Sequence, residues 1–547
     1  MAVSGRATSV YIFAITSMAT VVIILVHLFL SVHKVSFDLL YIWEAVILFS
    51  AILGLVYLTC TRGRLFHLDA VQQNERTVCD KVEISRCIII IVCAAGSGIL
   101  PFYQVYRDVQ CMVSTPTTLY VSKFFSLVLL GVFFFLEFIF LIPLKNYRSK
   151  SCFARILVSI VMSANACMLV NFILNIIRTS NTYVEPEDDT NMDLIRNWVF
   201  SRCENKTELL DNVTSVAEHM FKYTNPFLLE LSFLAFGILV PLWNIPDQVN
   251  VDRIINRTES NDFAPEGENT DDNDADVTEE DVNLIGQNEQ CRLKIVRTLK
   301  KILMFVSRYA LVFSLIIVLT VFGFHINSEV AKMKSEHSDV VIESHGSNQT
   351  LTSLEKVNYY LQTFYNYIVS IVPFIGYFTA RDIHIPRVKQ SPDTILLIVS
   401  GGGHLLLVLL ETADSIAGFV SQTDQSHLTE EIFFFVKILF HYVGIYYQIT
   451  LIIKARYLHT ARASPRLQVI KGMMIFLCLC NTERWLVDSF LPPTNLRFIN
   501  DIQKEDTFGV KNWWFITEIL FPIVTFNRLI SALLCFEVVE NMRRNGI

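Results

Sequence analysis

Apolar residues along this chain run on for twenty or more positions at a time, and polar residues are collected into the gaps between runs. A helix of about 20 such residues crosses about 30 Å of hydrocarbon. Twelve runs of that length are found, near residues 9–31, 38–60, 87–107, 118–144, 154–177, 222–244, 303–325, 356–379, 394–420, 430–454, 468–490 and 512–537. Only the seventh and eighth are diluted, by Arg308 and by the tyrosines around Tyr359. The first is too long for a signal-peptide core and lacks a small-residue cleavage site, so it reads as a retained helix.

The gaps orient the spans. Those after spans 2, 4, 8 and 10 carry Arg62/Arg64, Lys145/Arg148/Lys150, Arg381/Arg387/Lys389 and Lys454/Arg456/Arg462/Arg466, and the tail ends in Arg543–Arg544. The positive-inside rule makes these segments, and both termini, cytoplasmic. The sequons at Asn205, Asn212 and Asn348 fall in outside loops, where glycosylation occurs; the one at Asn256 falls inside and is expected to go unused. This is the pattern of a multi-pass protein of the plasma membrane.

Composition agrees: 547 residues, 52% hydrophobic, 41 phenylalanines. A soluble domain cannot hide that much apolar side chain. The net charge of −7 is a sum over segregated segments. No basic stripe or Cys/His zinc spacing points to nucleic acid. Of twelve cysteines, only Cys111 and Cys203 fall clearly outside, where they either form a disulfide or remain two unpaired thiols; the other ten read as small core residues.

Between spans 6 and 7 residues 257–283 hold eleven acidic side chains and one arginine. Such a segment buries too little surface to fold and is expected to be a disordered cytoplasmic linker. It divides the chain into an N-terminal half (1–245), a linker (246–298) and a C-terminal half (299–547). The halves echo one another: "AAGSGIL" in span 3 with "VSGGGHLLL" in span 9, Glu137 with Gln448, Asn165 with Asn481, and Pro226 with Pro522, at offsets from about 296 to 316 and in order. Six spans per half give the repeats one orientation. The expected fold is an all-α polytopic membrane protein of twelve transmembrane helices in two six-helix pseudo-repeat halves.

A charge at mid-membrane costs about 2.5–3.5 kcal/mol on the insertion scale, so the polar groups inside spans face the bundle interior or water and are candidates for function. Burial and neighbouring cations push a carboxylate's proton affinity in opposite directions, which makes Glu230 a candidate to exchange protons. Asn165, Asn481, Glu137 and Gln448 can order a water chain, and Arg528 stays charged and could anchor a carboxylate or repel other cations. Each has a plainer use. Glu230 could be a structural hydrogen bond, Arg528 an ion pair between helices, and the asparagines interhelical contacts of about 0.6 kcal/mol. His404 and Glu411, seven apart, share one face of span 9, and Lys437 and His441 are an i,i+4 pair on span 10. Glu44, near the outer end of span 2, is expected to meet water, and Glu483–Arg484 to neutralise itself or a neighbour.

Four stretches resemble the otopetrin family. Span 11, "FLCLCNTERWLVDSF", is similar to its Cys-Asn followed by Trp four residues on. Span 12 carries Pro522, Phe526, Arg528, Ser531 and Glu537 in the family's order. Span 6 carries Tyr223, Pro226, Phe227, Glu230, Trp243, Asn244 and Ile245, and span 3 carries Arg86, Gly96 and Gly98. The resemblance covers the spans but not the loops. It implies a channel that carries protons passively down their gradient, with no cofactor, built as a homodimer with sterol-like lipid at its interfaces. Three positions depart from the family: Ile530 stands where a histidine is common, Glu137 where glutamine is usual, and Glu483–Arg484 where apolar residues are usual. A 6+6 secondary transporter of the major-facilitator kind shares the span count and central loop. Against it, the first inside loop lacks the Gly-x-x-x-Asp-x-x-Gly-Arg-Arg pattern. A membrane enzyme would need a catalytic or metal constellation that the spacing does not supply.

Overall fold

The structure is a computed structural model. It describes residues 38–61, 66–68, 84–98, 118–141, 147–149, 152–182, 227–242, 309–338, 353–381, 383, 391–421, 425–458, 465–490 and 510–544. Eleven helices account for nearly all of it. In chain order they are α1 (Asp38–Cys60), α2 (Ile84–Gly98), α3 (Thr118–Leu141), α4 (Cys152–Thr182), α5 (Phe227–Leu242), α6 (Ala310–Ser338), α7 (Ser353–Ala380), α8 (Pro392–Ser421), α9 (Gln425–Ala455), α10 (Pro465–Phe490) and α11 (Val510–Arg544). They coincide with expected spans 2 to 12. The first span, the acidic linker, all four sequons, and Cys111 and Cys203 lie outside the described residues.

Five of the helices are long and apolar enough to cross a membrane, over Ile42–Cys60, Phe124–Leu141, Pro392–Ala413, Phe435–Ala455 and Ile519–Arg544. Apolar stretches within α2, α4, α5 and α6 are shorter. Their outer surface is greasy: Phe49, Leu53, Phe135, Leu311, Ile316, Leu319, Phe364 and Val399 are all exposed. An array of that kind is stable in hydrocarbon and not in water.

Besides the helices, the described residues hold one short antiparallel ladder, β1 (Phe66–Leu68) with β2 (Tyr147–Ser149), in the register Phe66↔Ser149. It ties the loop after α1 to the loop after α3. Both loops were expected on the cytoplasmic side.

Within the N-terminal half α1 packs against α3 and α4, and α2 against α5. The α2–α5 approach is close. A Cβ built on Gly96 would lie 2.5 Å from Cδ2 and 2.6 Å from Cγ of Phe227, so only glycine lets the Phe227 ring seat there. In the C-terminal half α10 packs against α6, α7 and α11, while α8 packs against α9 and α11. Pro373 and Pro522 sit inside α7 and α11, where each removes one backbone hydrogen bond.

The halves meet along α2, α4 and α5 on one side and α8, α10 and α11 on the other. α4 packs on α11, and Phe233 stacks near Phe526 and Phe227 near Phe490 at 4.9 and 5.3 Å between ring centroids. At one end of this seam four charges interlock. Arg86 reaches Asp393 at 2.9 Å and Glu537 at 3.4 Å, and Arg456 reaches Glu537 at 3.2 Å and Asp393 at 3.6 Å. Arg456 also donates to Ser391 Oγ and Thr394 Oγ1, at 2.5 and 2.9 Å, where α8 begins.

Two expectations change here. Glu44 does not meet water: it is buried and accepts a hydrogen bond from Ser126 at 2.9 Å, because α3 packs over that face of α1. Cys60 is exposed rather than a core residue, since it closes α1 at the bundle edge.

Candidate functional site in the bundle interior

Glu137 belongs to the run "FFFLEFIFL" of α3, and its neighbours Phe133, Phe134 and Phe140 are fully buried with it. The carboxylate needs a partner inside that apolar wall and finds it on the next helix. Asn165 donates Nδ2 to Glu137 Oε1 at 2.6 Å and to the carbonyl of Val161, one turn back, at 3.2 Å. Glu137 Oε2 and Asn165 Oδ1 are buried with no partner among the described residues.

The C-terminal half pairs the corresponding helices through amides, with the direction of the hydrogen bond reversed. Gln448 on α9 donates Nε2 to Asn481 Oδ1 at 3.2 Å, and Asn481 on α10 donates Nδ2 to Leu477 O, again one turn back, at 2.7 Å. In both halves an asparagine anchored to its own helix faces a longer polar side chain from the preceding helix.

Glu230 stands between the halves. It is fully buried on α5, and its two oxygens are held from different directions. Oε1 accepts from Trp485 Nε1 of α10 at 2.9 Å, and Oε2 accepts from Cys93 Sγ of α2 at 3.5 Å. One carboxylate thus joins α2, α5 and α10.

Arg528 is ion-paired with Asp488, which links α11 to α10. An ion pair between helices was one of its two expected uses. Glu483 accepts from Tyr365 Oη at 3.1 Å, and Arg484 donates to Asn366 Oδ1 and lies 5.1 Å from the Tyr365 ring centroid. Both members of the Glu483–Arg484 pair also take partners on α7. These charges keep α10 from being counted among the five apolar spans, yet α10 is well buried. A central helix can carry such groups when each is paired.

His404 is buried on α8 and its neighbours are on other helices. Its Nδ1 lies 3.0 Å from Asn527 Nδ2 of α11, and its ring stands 5.2 Å from that of His441 on α9. Glu411, on the same helix, is only partly buried.

Several groups in this interior were not anticipated. Asp488, Cys93, Tyr365, Asn366, Ser400 and Asn527 were not singled out from the sequence, and Trp485 was known only as a motif position. Asp488 had a legible signal, an acid inside an apolar run four residues after Arg484. Asn527 had only its place beside Arg528.

A search for curated relatives returned no match. A family model described as Otopetrin matches residues 175–529, which carry α5 to α10 and most of α11 and with them Glu230, His404, Gln448, Asn481, Asp488 and Arg528. With more than half of its length matched, the chain belongs to the otopetrin family of proton channels.

Proposed function

We propose that the chain is a proton-selective channel of the plasma membrane, responsive to acid, in which buried carboxylates, amides and ordered water carry protons passively. One observation carries this reading: Glu230 is wholly enclosed in an apolar helix, yet each carboxylate oxygen is held by a donor from a different helix. Glu230 is then a conducting or gating group at the seam between halves. Glu137–Asn165 and Gln448–Asn481 are the polar constrictions of the two halves, and their matching helix positions support a pseudo-repeat. His404, His441 and Glu411 take secondary roles. Arg528, held by Asp488, fixes α10 against α11.

In the same reading residues 1–245 and 299–547 each form six spans, 246–298 link them, and both termini are cytoplasmic. Two copies associate through their exposed apolar faces, with membrane lipid, sterol included, at the contact.

The test is a whole-cell recording in cells without native proton current, with a large impermeant cation replacing external sodium. Stepping the external pH at two internal pH values is expected to move the reversal potential by about 59 mV per pH unit, the one-charge slope. Surface protein with a conductance whose reversal ignores pH, or with transport that saturates with an added solute, would overturn the reading.

A further inference from the structure

Around His404 hydrogen bonds form a short line between two helices, α8 and α11, and a ring contact extends it to α9. Ser400 Oγ donates to Asn527 Oδ1 at 3.2 Å, and Asn527 Nδ2 faces His404 Nδ1 at 3.0 Å. Ser400 Oγ also lies 3.4 Å from the carbonyl of Leu397. Beyond His404, the His441 ring stands nearly perpendicular at 81°, and its Nε2 is buried with no hydrogen-bond partner among the described residues. All three polar side chains of the line are buried.

An amide N–H pointing at Nδ1 requires a lone pair there, so the ring hydrogen of neutral His404 sits on Nε2. A proton arriving at Nδ1 forms a new N–H bond and sets two donors face to face. We propose that His404 and Asn527 form a proton-linked switch of two positions, in which the Asn527 carboxamide turns over when His404 takes a proton at Nδ1. After the turn Oδ1 accepts from the imidazolium and Nδ2 donates to Ser400 Oγ. The Ser400 hydroxyl then donates to Leu397 O. The contacts along Ser400, Asn527 and His404 are thus remade in the turned position, with no donor facing a donor among them.

The surroundings make the turn necessary to the charged state. Arg528 from α11 and Arg484 from α10 act electrostatically on both rings, and Lys437 and His441 come from α9. Glu411 lies two turns along α8 itself. With cations on three neighbouring helices, the turned amide oxygen is the acceptor placed to hold an imidazolium at 404. Asn527 is thus a positioning residue. His441, whose ring stands 5.2 Å from that of His404, is the neighbouring titratable group.

The proton source in this account is the conduction path, so the switch rests on the proton-channel reading; a measurement independent of current keeps the two failures apart. Full-length protein with ¹⁵N-labelled histidine, reconstituted in lipid, is titrated by solid-state NMR, and the His404 signal is identified by its loss in His404→Gln. The expected result is an Nε2–H tautomer for neutral His404. In Asn527→Asp, where an acceptor faces Nδ1 in either orientation, the charged form is expected to persist to a pH roughly 1–3 units higher. An Nδ1–H tautomer in the neutral wild-type protein, which needs no Asn527 variant to observe, would overturn the switch. So would identical titrations of the wild type and Asn527→Asp.

Discussion

Replacing Glu230 in two ways separates its packing from its chemistry. Glutamine keeps an oxygen where Oε1 accepts the Trp485 indole hydrogen at 2.9 Å, and gives up only the weak thiol contact at 3.5 Å. Leucine removes both acceptors and leaves the indole N–H buried and unmade, a loss of about 1–3 kcal/mol. That corresponds to roughly a 5- to 150-fold change in the folded-to-unfolded ratio. Neither variant can carry a proton on this side chain. Glu230→Gln is therefore expected to reach the surface and unfold in detergent much as the wild type does. Its proton current is expected to fall on the order of tenfold, equivalent to about 1.4 kcal/mol on the transfer barrier. Glu230→Leu is expected to lose stability as well. Surface-labelled protein, thermal unfolding and whole-cell current at matched surface density give the three readings. A Gln variant with wild-type current and wild-type pH dependence would refute the reasoning, because the carboxyl proton would then have no part in conduction.

Two further perturbations test the packing that holds this site. Arg528→Met leaves Asp488 as a lone buried charge and is expected to destabilise the protein by about 3–5 kcal/mol, whereas Arg528→Met with Asp488→Leu is expected to recover most of that; thermal unfolding of the single and double variants decides it. Gly96→Ala drives a methyl group into the Phe227 ring and is expected to cost about 1–3 kcal/mol. Phe227→Leu in the same chain should relieve that cost, as a double-mutant cycle of unfolding free energies would show.

Spans 2 to 12 were legible as helices because crossing about 30 Å of hydrocarbon demands long apolar runs, and those runs survive in any packing. Individual interior groups were legible for a related reason: a carboxylate such as Glu230 or Glu137 inside such a run is too costly to be incidental. Their partners were not. Glu137 was matched with Gln448 across the halves, but its bond to Asn165 depends on how α3 and α4 rotate against one another. His404 was paired by spacing with Glu411 on its own helix, while its actual neighbours lie on α9 and α11. Glu44 shows the same limit: distance from the span end pointed to water, and the packing of α3 buried it. Helical periodicity reports which residues share a face, not which helix covers it.

The interlocked charges Arg86, Asp393, Arg456 and Glu537 have an electrical consequence. As a group they sum to zero, so moving them together through a transmembrane field does no work. Their division between the halves is unequal: Arg86 comes from the N-terminal half, and the other three, summing to −1, come from the C-terminal half. Any displacement of one half against the other along the membrane normal therefore separates a single pair of opposite charges. One elementary charge crossing the whole field is worth about 2.3 kcal/mol per 100 mV. A shift of a few ångströms takes only a small part of that. This seam is consequently a poor lever for voltage, and the work of parting it is set by the ion pairs themselves.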